Sequence, residues 1–168
     1  MAERTLIKRS DKVSFFGNMS TGTETFNRMR GFTSLSGSKN PIEYSRQYVD
    51  EEMETTDVVG YSPSVEFGFD QYQGDPVHDE MVEILDGEKT GTESRRNIVV
   101  VDFSKPTAND GEYEATKREY AIIGDADGDG TDAYTYSGTF RTTGKRIVGT
   151  ATLNSDSSVA TFTPTVSL

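Results

Sequence analysis

The stretch Asn97-Ile-Val-Val-Val-Asp-Phe103 decides the fold class. Ile98, Val99, Val100 and Val101 are all β-branched, and their unbroken run predicts a central strand buried on both faces. Upstream, Ser64-Val-Glu-Phe-Gly-Phe-Asp70 alternates Val65, Phe67 and Phe69 with Glu66, Gly68 and Asp70, the pattern of a half-buried strand. Downstream, Tyr113 to Gly124, Tyr134 to Arg141, Arg146 to Leu153 and Ser158 to Thr163 read as further strands at short, regular spacing. Turn chemistry separates them at Ala108-Asn-Asp-Gly111, Gly124 to Gly130, Thr142-Thr-Gly144 and Asn154-Ser-Asp-Ser157. The expectation is a mainly β protein, a two-sheet antiparallel sandwich or a barrel.

One segment departs from this pattern. Gly74-Asp75-Pro76 is a helix-start signal, with Asp75 as N-cap and Pro76 at the first helical position. Val77, Met81, Ile84 and Leu85 follow at helical spacing, and Gly87 ends the run, so a short amphipathic helix is expected near residues 75–86. Its apolar stripe would pack on the sheet as a lid over an open end, with Asp79, Glu80 and Glu83 toward solvent. Two stretches lack packing signals: residues 1–24, expected as a flexible N-terminal arm, and residues 40–60, expected as a long loop. The 168-residue chain therefore divides into that arm and a single β domain over 25–168.

Charge is distributed unevenly. Of the net −11, residues 1–40 contribute +4, residues 43–88 contribute −13 and residues 89–168 contribute −2. Such a balance argues against a duplex-DNA binder, which needs clustered Lys and Arg for phosphate contacts. Arg28, Arg30, Lys39 and Arg46 interleave with Phe26, Phe32 and Tyr44, but strong negative charge follows at once, which favours cross-strand packing over a nucleic-acid patch. The asymmetry itself suggests a dipolar subunit whose positive segment meets a neighbour's negative one. No apolar run approaches the ~20 residues that cross a bilayer, and residues 1–10 are mixed and charged, so a cytosolic site of synthesis is expected.

Catalytic chemistry has little to stand on. The chain has no cysteine, which removes disulfides, thiolate metal sites and Cys nucleophiles. His78 is the one histidine, lacks any metal-ligand partner motif, and reads as a solvated helix residue. No nucleophile elbow or phosphate-binding glycine loop is present, so no enzyme is expected. The best local motif is Asp125-Ala-Asp127-Gly-Asp129-Gly130-Thr131, which matches the first half of a calcium loop. Its twelfth position is Tyr136 instead of a closing Glu, and its flanks are strand-like, which favours a plain acidic hairpin loop. Apart from a weak calcium site at Asp125, Asp127, Asp129 and Thr131, no cofactor is expected.

Several segments together resemble the major tail tube proteins of siphophages that infect Gram-positive bacteria. The resemblance rests on Arg30-Gly-Phe-Thr-Ser-Leu35, Asn40-Pro-Ile-Glu-Tyr-Ser-Arg46, Val58-Val-Gly-Tyr-Ser-Pro63 and Phe69-Asp-Gln-Tyr72. It continues through Asp75-Pro-Val-His78, Arg96-Asn-Ile-Val-Val-Val-Asp-Phe103 and Tyr136-Ser-Gly-Thr-Phe140. Gly144-Lys-Arg-Ile-Val-Gly-Thr-Ala-Thr152 and Ala160-Thr-Phe162 complete it, so that it covers roughly residues 25–164 in order.

The resemblance implies a β-sandwich with one flanking helix that forms hexameric rings stacked into a tube. In that family, strands from each subunit form a continuous inner barrel, a long loop reaches the adjacent ring, and an acidic lumen lets DNA pass. Carried onto this chain, the stacking loop falls at 40–60, with Arg46, Asp50, Glu51, Glu52, Glu54 and Asp57 as its polar contacts. Glu66 and Asp70 become the candidate lumen carboxylates, although the polar faces could exchange roles. The implied partners are further copies of the chain and the tape measure, tail terminator and distal tail proteins. DNA passes transiently, and the implied location is the virion tail, after assembly in the host cytoplasm. The alternative is a calcium-supported β-sandwich binding or decoration module of a virion.

Overall fold

Each side of the Asn97–Phe103 run is covered, and the rest of the fold is arranged around that strand. The computed structural model describes residues 3–19 and 22–165. Among these, the strands are β1 (Lys12–Asn18), β2 (Thr25–Arg28), β3 (Phe32–Ser38), β4 (Pro41–Arg46), β5 (Thr55–Tyr61) and β6 (Ser64–Asp70). Helix α1 (Pro76–Asp86) follows, then β7 (Arg95–Pro106), β8 (Glu112–Asp127), β9 (Thr135–Thr142), β10 (Ile147–Leu153) and β11 (Val159–Pro164). The main sheet runs β10-β11-β2-β1-β7-β8-β9-β6-β3, and β10 also pairs with β8. That extra pairing closes six strands into a barrel and leaves β9, β6 and β3 as a wing. Among the described residues all ladders are antiparallel, including β1–β7 and β7–β8.

The 16-residue β8 makes both halves from one strand. Its first part, Glu112 to Lys117, pairs with β10 inside the barrel, and its second part, Tyr120 to Asp127, pairs with β9 in the wing. A register shift between Gly124 and Ala126 bends the second part away, as a bulge does. Opposite Gly124 lies Gly138, where a Cβ would overlap the Ile123 carbonyl oxygen and stand 2.8 Å from the Phe67 ring. The wing can pack this closely only because that position has no side chain.

Two cores share the strands. Phe15, Phe26, Val99, Val101, Ala115, Ala151 and Ala160 fill the barrel. Phe16, Ile98, Ile122, Phe67, Phe69, Tyr136 and Phe140 form the second core with Val77, Met81 and Ile84 of α1. Alternation in β7 sends Val99 and Val101 into one core and Ile98 into the other. The continuous apolar run is thereby accounted for. Helix α1 begins as the sequence indicates: the Asp75 carboxylate accepts from the Val77 and His78 amides at 2.9 and 3.3 Å, and Pro76 opens the helix. It covers the sheet face between barrel wall and wing, instead of capping an open end. Among the described residues, no helix is long and apolar enough to cross a membrane.

The mainly β architecture with one short helix is as expected, and of sandwich and barrel it is the barrel that forms. Two further expectations change. Residues 12–18 of the expected arm are a barrel strand, because Phe15 and Phe16 each enter a different core and are both 0% exposed. Residues 1, 2, 20 and 21 of that arm, and 166–168 of the β domain, lie outside the described residues. The expected 40–60 loop is mostly a hairpin, with β4 and β5 paired from Pro41↔Tyr61 to Arg46↔Thr55.

Candidate functional site

The wing presents one apolar face to α1 and one polar face outward. Because side chains alternate along a strand, Phe67 and Phe69 are buried while Glu66, Gly68 and Asp70 point the other way. Register sets their neighbours: Glu66 lies between Ser36 and Thr139, Gly68 between Ser34 and Ser137, and Asp70 beside Thr135. Glu66 is exposed and Asp70 half-buried. The structure thus brings the two candidate lumen carboxylates onto a face of small hydroxyl side chains, interrupted by Ile123 opposite Thr139. Exposed Arg141, opposite Ser64, ends this face, and the Glu66 and Asp70 carboxylates outweigh it, so the face is weakly negative and repels phosphate.

Both lateral edges of the wing are open. Strand β3 pairs with β6 on one side, and among the described residues no strand pairs with its other side. On β8 the ladder with β7 ends at Arg95↔Ala121, so Ile122 to Asp127 lack a partner strand there. A cleft of about 680 Å3 separates that edge from residues 88–91 and the end of α1. Unpaired edges are templates for another strand.

The β4–β5 hairpin forms a separate two-stranded sheet. Every β4 residue is exposed, as are Thr55 to Val59, and the exposed apolar groups include Ile42, Tyr44, Val58, Val59 and Tyr61. At the tip, Val49 and Met53 are also exposed. A patch of this kind marks an interaction surface. Of the polar residues expected there, Arg46 donates to the Tyr44 hydroxyl at 2.7 Å and lies 5.9 Å from the Tyr48 ring centre. Asp57 sits opposite Tyr44, while Asp50, Glu51, Glu52 and Glu54 occupy the exposed tip. None of these carboxylates is in an ion pair among the described residues, where Lys89–Glu83, Arg96–Glu80 and Lys105–Glu114 are found.

The calcium-loop residues do not converge. Asp125 and Asp127 lie on the extended end of β8, Asp129 and Thr131 in the exposed loop beyond it, and Asp127 accepts from the Tyr134 hydroxyl at 2.9 Å. That bond raises the Tyr134 pKa, as does the Asp127 charge. Among the described residues no group of three His, Cys, Asp or Glu is placed to hold a metal. An extended backbone spreads the carboxylates that a calcium loop must wrap around its ion.

Sequence reasoning missed the buried polar groups of α1. His78 is fully buried, against the expectation of a solvated residue. Its Nδ1 accepts from the Tyr72 amide at 3.0 Å, its Nε2 donates to the Arg30 carbonyl at 2.6 Å, and its ring stacks on Phe69. Glu80, also expected outside, is 5% exposed. It accepts from Arg96 Nε at 3.1 Å and from the Met19 amide at 3.0 Å, so partners distant in sequence satisfy its charge. Asp79 and Glu83 are exposed as expected. The Tyr136 hydroxyl donates to Asp86 at 3.2 Å, and burial together with that carboxylate pushes its pKa up to about 12.

No protein-family profile matches the sequence, and no curated protein does. Among solved structures, the chain is similar to one from the anti-feeding prophage baseplate, determined by cryo-electron microscopy with six-fold symmetry imposed. The two share 11% identity and a TM-score of 0.52, over 88% of this chain and 97% of the other. At that identity the likeness is one of fold.

Proposed function

We propose that this chain is a structural virion protein of a phage-type tail, which forms six-membered rings that stack into a tube. The observation that carries the reading is the wing together with the second part of β8: a four-stranded antiparallel face with two open edges and an acidic, hydroxyl-rich outer surface. Pairing of β3 in one copy with the free part of β8 in the next would cover both edges and continue the sheet around a ring. Glu66 and Asp70 would then face the lumen, and their charge would keep passing DNA from adhering. The fold likeness to a chain of a six-fold-symmetrised prophage baseplate supports the reading. The exposed hairpin supports stacking, since it offers each ring an apolar and charged surface for contact with the next.

In this reading the chain is not an enzyme and needs no cofactor. Its partners are other copies of itself, a tape measure within the tube, and tail terminator and distal tail proteins at the ends. It assembles in the host cytoplasm and resides in the virion tail. A second reading, a baseplate ring that does not repeat, is favoured by the baseplate origin of the structural neighbour. Electron microscopy of the concentrated protein separates them. Stacked six-fold rings support the tube, isolated rings support the baseplate reading, and persistent monomers contradict both.

A further inference from the structure

A second cleft, of about 440 Å3, lies at the base of the hairpin, between the outer barrel wall and the ends of β3 and β6. Lys12, Lys39, Lys105, Arg118 and Arg146 line it, against Asp102 and Glu114. Lys105 and Glu114 pair with each other at 3.8 Å. Lys12, Lys39, Arg118 and Arg146 form no ion pair among the described residues, and the buried Arg118 Nε has no hydrogen-bond partner. Asp102 is occupied by the Ser104 hydroxyl and amide. The cleft therefore holds an excess of positive charge and an unused donor, in a protein whose net charge is −11.

We propose that this cleft receives the acidic hairpin tip, Asp50-Glu-Glu-Met-Glu54, of a second copy of the chain. The proposal rests on the stacking reading above and names the receptor that reading leaves open. Charge complementarity favours this occupant: the four carboxylates of the tip form no ion pair among the described residues, and neither do Lys39, Arg118 and Arg146 of the cleft, while Lys12 faces Asp102 across the β1–β7 ladder. Reach excludes the chain's own tip. A strand of six or seven residues extends roughly 20 Å, and the cleft lies at the near end of β4 and β5 while the tip lies at the far end. Tip into base is a contact between unlike surfaces, which repeats from copy to copy and builds a stack when the rotation between copies does not close into a ring.

Charge exchange tests the proposal. A tip variant, E51K/E52K/E54K, and a cleft variant, K39E/R146E, should each lose stacking, with circular dichroism reporting retained fold. Mixing the two should restore it, because each then offers the complement the other lacks. The protein has no cysteine, so a Glu52→Cys copy mixed with a Lys39→Cys copy should also give a mixed disulfide when oxidised glutathione is added to accept the two electrons. Adding the R146E change to the Lys39→Cys copy should lower its yield at least about tenfold. Rings or tubes without the disulfide, and without restoration on mixing, would overturn the cleft while leaving the ring reading intact. A charge-dependent disulfide without six-fold rings supports the cleft and contradicts the ring. If the cleft variant instead abolishes binding of a short single-stranded DNA and no disulfide forms, the cleft is a phosphate site and the proposal fails.

Discussion

Phe15 and Phe16 are adjacent in sequence, both fully buried, and belong to different cores: Phe15 to the barrel interior, Phe16 to the layer under α1. β1 therefore ties the two halves of the molecule together. Truncating either ring to alanine removes a large buried aromatic group and should destabilise the protein by about 3–5 kcal/mol in urea unfolding. The two losses should differ in place. Hydrogen exchange in α1 should accelerate selectively in Phe16→Ala, and equal acceleration in Phe15→Ala would contradict the two-core division.

His78 fastens the segments just beyond the paired ends of β3 and β6, through the Tyr72 amide and the Arg30 carbonyl. His78→Ala would remove the partner of both groups and open a cavity beside Phe69. A loss of about 2–4 kcal/mol is expected. Gln at this position, which can still donate and accept, should recover part of it. A loss within ~0.5 kcal/mol, the range of an ordinary surface substitution, would show that the ring is not structurally engaged.

Glu80 and Arg96 form an ion pair whose side chains are 4% and 14% exposed. Glu80→Ala strands the guanidinium and the Met19 amide together, and should cost about 3–5 kcal/mol. Glu80→Gln keeps an acceptor for Met19 and should cost less. A double-mutant cycle with Arg96→Ala measures the coupling, and a value near zero would contradict the pairing.

Tyr136 gives the fold an alkaline limit. Its pKa rises from 10.0 to about 12 in the folded protein, so from pH 10 to 12 the unfolded chain loses the phenol proton while the folded one keeps it. Stability should be unaffected by this group below pH 10 and should fall through that window. Tyr136→Phe has no proton to lose and should flatten this limb of the stability profile. An unchanged alkaline slope in that variant would contradict the assignment.

The calcium loop offers a direct comparison. Melting temperatures with calcium and with a chelator should coincide, both for the protein as it stands and for D125N/D127N/D129N. A calcium-dependent rise that the triple variant abolishes would favour the virion-module alternative.

What the sequence made legible follows from burial. Val65, Phe67 and Phe69 alternate because β6 has one buried face, and the Ile98–Val101 run is continuous because β7 has two. Asp75, Pro76 and Gly87 punctuate α1 by local chemistry alone. The β4–β5 hairpin gave no such signal, since none of its residues is buried and polar and apolar side chains are equally exposed. β1 was hidden for the opposite reason, with Phe15-Phe16-Gly17-Asn18 buried in succession and no alternation to read. His78 and Glu80 look solvated in sequence because their partners, Arg30, Tyr72, Arg96 and Met19, come together only in the fold. Glu66 and Asp70 were placed on a polar face by alternation, whereas the open edges beside them are a property of topology.

The central claim is that the polar face of the wing lines a channel. A cryo-electron microscopy reconstruction of the assembled protein tests it most directly. Stacked six-fold rings are expected, with β3 of one copy paired to the Ile122–Asp127 end of β8 in the next, and with Glu66 and Asp70 facing the axis. An assembly in which that face points outward, or a protein that stays monomeric at every concentration, would contradict it.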